Sequence, residues 1–278
     1  MVDDFAREVE AFFESLPAVM AAAGPGSMDR VRALRGAMAK ARLVGFGIPE
    51  EYGGRTDVEN GDRRFQALSD GRMPREADTL GIGLNMALPI ILQYGTEEQK
   101  KRFIATTLSA QEVWCQLYSE PEAGSDLASL RTTAVLDGDE WVVNGQKVWT
   151  SGAMNSEMGV LLASTGDAPR NRGISMLLIP MKQPGVEVRP LRQMTGAAEF
   201  NEVFFTNARV PRDWVIGEVN DGWRAATGLL AHERSSLGNV GADTKREASG
   251  NAAVPFHYLQ ALAERTGYNT DPLMRQDL

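Results

Sequence analysis

The chain has 278 residues, 43% hydrophobic and 24% charged, an ordinary soluble globular balance with length enough for two domains and a sizeable core. A formal net charge of -8, with Lys and Arg scattered, argues against nucleic acid or an anionic membrane as partner. One cysteine, Cys115, and two distant histidines, His232 and His257, exclude a disulfide framework and a usual zinc site.

The first hundred residues have helical periodicity. Phe5, Val9, Phe12 and Leu16 recur at helical spacing, Gly24-Pro25-Gly26 interrupts, and Val31, Leu34 and Met38 resume the pattern to about Gly45. A turn-rich connection follows over Gly45–Gly54, then an apolar helix over Leu80–Tyr94. Thr96, with Gln99 three residues on, predicts a capping box at the start of the next helix. The acidic, non-apolar N-terminus reads as neither a secretory signal nor a transit peptide. No stretch has the length of a transmembrane helix, so a cytoplasmic protein is expected.

Near Gln111 the period changes to two. Val113, Cys115 and Leu117 alternate with Glu112, Trp114 and Gln116. Two β-rich runs, Arg131–Leu136 and Trp141–Trp149, flank Asp137-Gly138-Asp139-Glu140, a hairpin signal. Further strands are expected at Gly159–Ala163, Ile174–Ile179, Val186–Arg189 and Glu202–Phe205, which together argue a small β-barrel or sandwich. After Asp221 the helical period returns with Trp223, Ala226, Leu229 and Leu230. The expected fold is α+β: a helical domain over 1–110, a β-barrel-like domain over 111–218, and the incomplete start of a helical bundle over 219–278. Leu229, Leu230 and Leu237 predict an apolar face on that last helix without its packing partners.

Two segments carry chemistry. In the first, Trp114-Cys115-Gln116-Leu117-Tyr118-Ser119-Glu120-Pro121-Glu122-Ala123-Gly124-Ser125-Asp126, a strand ends at Ser119 and Pro121 and Gly124 force a loop. Hydroxyls beside backbone amides in such a loop suit a carbonyl-rich ring or an acyl group; an ordinary turn between strands is the alternative. The second is Asn144-Gly145-Gln146-Lys147-Val148-Trp149-Thr150-Ser151-Gly152.

These two segments, in this order, resemble the two hallmark loops of the acyl-CoA dehydrogenases. The likeness extends over Ile48–Gly54, Gly95–Phe103, Leu191–Phe205, Val210-Pro211 and Asn220-Asp221-Gly222-Trp223, to about Gly241. It implies an FAD enzyme that removes an α-proton from an acyl-CoA thioester while a β-hydride goes to the flavin. It also implies an electron-transfer flavoprotein as electron acceptor and a homo- or hetero-oligomer. The backbone from Gln116 through Leu117 and Tyr118 to Ser119, with the Ser119 hydroxyl, would bond the flavin pyrimidine edge. Gly124 and Ser125 would hold the pyrophosphate side and the acyl-CoA near its thioester. Trp149 would pack on the isoalloxazine, followed by Thr150, with Ser151 supplying a hydroxyl near N5 where threonine is commoner. Without the hallmark, Trp149 would be taken as a core residue at a strand end. No metal is expected.

In most of the family the base is a glutamate late in the C-terminal bundle, beyond the end of this chain. A minority uses a glutamate directly before an arginine on the first C-terminal helix, here Glu233-Arg234. Glu233 is therefore the expected catalytic base; a surface carboxylate or a structural ion pair is its alternative. Arg234 is expected in the substrate pocket or at a subunit contact. A non-catalytic fragment or partner subunit, and a flavin oxidase or monooxygenase, are the competing functions.

Overall fold

A computed structural model describes residues 3–74, 76, 80–168, 170–228 and 256–272. The chain divides into two compact units, Met1–His232 and Glu233–Leu278. The first unit begins with α1 (Asp4–Ala22) and α2 (Ser27–Lys40). Their apolar stripes, Phe5, Val9, Phe12 and Leu16 on α1 and Val31, Leu34 and Met38 on α2, are all buried, which is the face the periodicity predicts. A short helix, α3 (Gly61–Leu68), follows in a stretch that carries no clear apolar period.

The helix expected over Leu80–Tyr94 is not uniform. A π-helical turn at Gly83–Ala87 leads into α4 (Leu88–Tyr94). Pro89 has no amide hydrogen to close the regular i to i−4 bond, and the turn before it widens. Thr96 caps α5 (Glu97–Leu108): its hydroxyl accepts from the Gln99 amide at 3.2 Å, and the Gln99 side chain accepts from the Thr96 amide at 3.1 Å. Gln99 also reaches over to donate to the Asp213 and Val215 carbonyls.

Eight strands follow: β1 (Trp114–Leu117), β2 (Thr133–Asp137), β3 (Glu140–Ser151), β4 (Met158–Ser164), β5 (Ile174–Pro180), β6 (Val186–Leu191), β7 (Phe200–Pro211) and β8 (Val215–Ile216). They form one sheet in the order β6-β7-β3-β2-β4-β5-β8, with β1 parallel to β4. The expected barrel does not close, because β6 and β8 end the path without pairing to each other. The β2–β3 hairpin turns on Gly138 at φ +63°, with Asp137 paired to Glu140 as its sequence signals.

Strands β4 and β5 are buried along both faces, which is why each reads as a continuous apolar run. One face, with Val160, Leu162, Met176 and Leu178, joins Phe103, Ile104 and Ile91 of the helical layer in a shared core. The other, with Leu161, Leu177 and Ile179, packs on Val143, Val203 and Phe205. A further helix over 222–228, here α6, docks Ala225 and Ala226 into the first of these cores. In the second unit, α7 spans Phe256–Thr266. The expected apolar face of Leu229, Leu230 and Leu237 lies outside the described residues. Among the described residues, no helix is long and apolar enough to cross a membrane.

Candidate functional site

The first hallmark loop grows out of β1. Trp114, Cys115 and Leu117 are buried, which anchors the strand, and Gln116 and Ser119 are half-buried. Beyond Ser119 the chain turns tightly: the Glu120 amide donates to the Ala123 carbonyl at 3.0 Å and the Ala123 amide returns to Glu120 at 3.1 Å. Pro121 sits in this turn, and Gly124 and Ser125 beyond it are exposed.

The second hallmark segment belongs to β3, which pairs with β7 through two register shifts, between Val143 and Gly145 and between Lys147 and Thr150. At the second shift Val148 leaves the β7 ladder. Its amide donates instead to the Ser119 carbonyl at 2.9 Å, which joins the two hallmark segments. Trp149, next in the chain, has φ +61° and is 57% exposed. A bulky residue held in the left-handed region and turned out to solvent is strained, and such strain concentrates at functional positions. Its ring meets the edge of Phe200 at 6.0 Å.

Beneath these elements lies a buried ion pair. Lys147 Nζ is 2.7 Å from Glu120 Oε1 and donates to the Tyr118 carbonyl at 3.0 Å. Glu120 accepts from the Arg131 and Thr132 amides at 2.6 and 3.0 Å. Burial pulls the Lys147 ammonium down to about 8, with the Glu120 charge opposing the shift. Burial alone would raise the Glu120 carboxyl; the Lys147 charge and the hydrogen bonds to it outweigh that and hold it below its ordinary range.

A cleft of about 560 Å³ opens beside Phe200, the residue whose ring meets Trp149. Met28, Leu80 and Ile82 line one side, and Trp114, Ser151, Met154 and Phe200 line the other. Asn201, at the same cleft, is buried. Its Oδ1 accepts from the Met154 amide at 3.3 Å, while its Nδ2 and the hydroxyl of Thr150, its cross-strand neighbour, have no hydrogen-bond partner among the described residues. Asn201 therefore secures the turn after Ser151 through that hydrogen bond.

The expected site residues thus separate into groups. The stretch Gln116–Ser119 and the stretch Trp149–Ser151 come together through the Val148–Ser119 bond. Leu117, Tyr118 and Thr150 bury their side chains, so any contact they make with a ligand is through the main chain. Gly124 and Ser125 stand on the exposed turn, and Ser151 faces the cleft. Glu233 and Arg234 lie outside the described residues. The sequence reading assigned no role to Glu120 and Lys147. The signal was present: Lys147 is in phase with the inward-facing Trp141 and Val143, and an inward lysine needs a buried anion. Among the described residues no three His, Cys, Asp or Glu side chains cluster as a metal would require.

The fit to a flavin rests on three features. Trp149 offers an exposed aromatic ring, the Ser119 hydroxyl takes part in no hydrogen bond among the described residues, and Ser151 opens on the cleft. The profile of the acyl-CoA dehydrogenase N-terminal domain matches residues 2–111, and that of the acyl-CoA dehydrogenase middle domain matches residues 115–208. The chain belongs to the acyl-CoA dehydrogenase family. It is 43% identical over 263 residues to the acyl-CoA dehydrogenase IpdE1 of Mycobacterium tuberculosis, a match covering 92% of this chain and 66% of that protein. The chain thus spans about two thirds of the length of this acyl-CoA dehydrogenase. A solved structure described as the Tcur3481-Tcur3483 steroid ACAD superposes with TM-score 0.68 at 31% identity, covering 98% of this chain and 69% of the other. The ChsE4-ChsE5 complex from Mycobacterium tuberculosis superposes with TM-score 0.64 at 30% identity, covering 84% and 60%.

The left-handed Trp149 gives a direct test. Trp149→Gly and Trp149→Ala both remove the ring and its contact with Phe200. Glycine adopts φ +61° without the Cβ penalty, so the glycine variant is expected to be about 1 kcal/mol more stable than the alanine variant. Equal urea midpoints for the two, or a more stable alanine variant, would show that position 149 carries no backbone strain.

Proposed function

We propose that this chain supplies the flavin-facing part of an acyl-CoA dehydrogenase that carries out α,β-dehydrogenation of an acyl-CoA thioester. The observation that carries the reading is Trp149, exposed and strained on a bulge bonded to the Ser119 loop. FAD held there would supply the hydride-accepting chemistry. Trp149 would pack on its ring, the Gln116–Ser119 backbone and the Ser119 hydroxyl would bind its polar edge, and Ser151 would supply a hydroxyl near N5. Gly124 and Ser125 would hold the pyrophosphate side and the acyl-CoA near its thioester. Glu233 would take the α-proton, and Arg234 would bind the substrate or contact a partner subunit. Hydrogen bonds to the thioester carbonyl would stabilise the enolate-like transition state.

Three further elements belong to this reading. The domains are 1–110, 111–218 and 219–278, in a cytoplasmic enzyme whose electrons pass to an electron-transfer flavoprotein. The likeness to the ChsE4-ChsE5 complex supports assembly with a second, non-identical subunit. The likeness to a steroid ACAD supports a ring-bearing acyl group, and a cleft of about 560 Å³ is within the range that holds ligands of that size.

FAD titration of the full chain, with its partner subunit where one is required, tests the reading by flavin fluorescence and absorbance. Saturable binding is expected, and Trp149→Ala is expected to weaken it by about 2 kcal/mol, roughly thirtyfold, through lost apolar stacking. No binding at high FAD, or an affinity indifferent to Trp149, would defeat the proposal. Hydrogen peroxide release on turnover would move the enzyme to the oxidases.

A further inference from the structure

The Glu120–Lys147 pair sits under the two hallmark segments and touches both. Lys147 is fully buried and Glu120 nearly so, with side chains 0% and 6% exposed. Taking two such charges out of water costs several kcal/mol each, and their attraction returns that only with full hydrogen bonding. A pair of apolar side chains would fill the same space without that cost. Such a pair therefore calls for a reason other than stability.

Its connections supply one. Lys147 lies two residues before Trp149 on the same bulge and grips the Tyr118 carbonyl, next to Ser119. The neighbouring Val148 amide holds Ser119 itself. Glu120 ties the far side of the loop to the Arg131 and Thr132 amides just before β2. The Ser119 edge and the Trp149 face are thus referenced to one buried point. A carbonyl, two amides, a carboxylate and an ammonium meet there in directional bonds that apolar packing cannot reproduce.

We infer that Glu120 and Lys147 are positioning residues that set the spacing between the Ser119 loop and the Trp149 bulge, and so the geometry of the flavin-facing surface. The flavin part of this inference rests on the function proposed above; the loop geometry does not.

The test is the double variant Glu120→Gln with Lys147→Met, which removes both charges together and keeps an acceptor for the Arg131 and Thr132 amides. Two measurements on the full chain are needed. Amide hydrogen exchange, without flavin, is expected to show at least tenfold lower protection at Val148, Arg131 and Thr132, with the amides of β4 and β5 unchanged. FAD titration is expected to show at least tenfold weaker binding and an altered flavin absorbance band. Parent-like exchange together with parent-like FAD affinity and spectrum would overturn the inference. A double variant that fails to fold would also overturn it, since the pair would then carry the fold rather than the spacing. If the parent chain itself binds no FAD, the functional reading fails, and exchange at Val148, Arg131 and Thr132 alone decides for or against the pair.

Discussion

Replacing Glu233 by Gln is expected to slow reduction of bound flavin by acyl-CoA by about 10²- to 10⁴-fold, the range that loss of a general base costs. The α-proton of a thioester is a weak acid, and its removal needs a carboxylate in a site dry enough to raise its pKa towards neutrality. Glu233 is the one acidic residue of this sequence at a base position implied by the family resemblance, directly before Arg234 and after the apolar Leu229-Leu230-Ala231. Glutamine preserves volume and hydrogen-bonding reach and removes basicity. FAD affinity, which the proposal assigns to the Ser119 loop and Trp149, is therefore expected to stay within twofold of the parent. Stopped-flow absorbance of the flavin band after mixing with an acyl-CoA measures the step. An unchanged reduction rate would place the base on another residue or on a partner subunit.

Gly145→Ala is expected to destabilise the fold by about 3 kcal/mol or more, from a strained backbone and an overpacked contact acting together. Gly145 has φ +150°, a conformation that residues with a Cβ rarely adopt. A Cβ there would sit 2.5 Å from the Thr132 hydroxyl and 2.7 Å from the Thr132 Cα, so the backbone just before β2 would have to move. Thr132 is also the residue whose amide bonds Glu120, which carries the disturbance straight into the buried pair. For a unit of this size the loss corresponds to a fall in melting temperature of roughly 6 to 12 °C. Gly138→Ala serves as the comparison. That residue also has positive φ, +63°, but a Cβ on it meets nothing within 4 Å, so only backbone strain of about 1 kcal/mol is expected. Calorimetry that finds the two variants equally stable would show that the close approach to Thr132 is not tight in solution.

The sequence alone determined the helical stripes of α1 and α2, the Thr96–Gln99 capping box, the β2–β3 hairpin and most of the strands. Each of these depends on neighbours in the chain, on a period of 3.6 or 2, or on a cap or turn residue at fixed offset. The two hallmark segments were legible in the same way, as motifs. Three features were decided only by tertiary structure. The open sheet follows from which strands pair, a choice made by packing rather than by any one strand's pattern. The buried Glu120–Lys147 pair spans 27 residues of sequence, too far for local pattern to join them. Trp149 shows the difference most plainly. Strict alternation from Trp141 through Val143 and Lys147 would turn it inward as a core residue. The register shift between Lys147 and Thr150 breaks that phase, sends the Val148 amide to Ser119 and turns the indole out to solvent. A one-residue bulge reverses the face of every side chain beyond it. Whether a strand bulges is set by the partner it must meet, which the strand's own residues do not record.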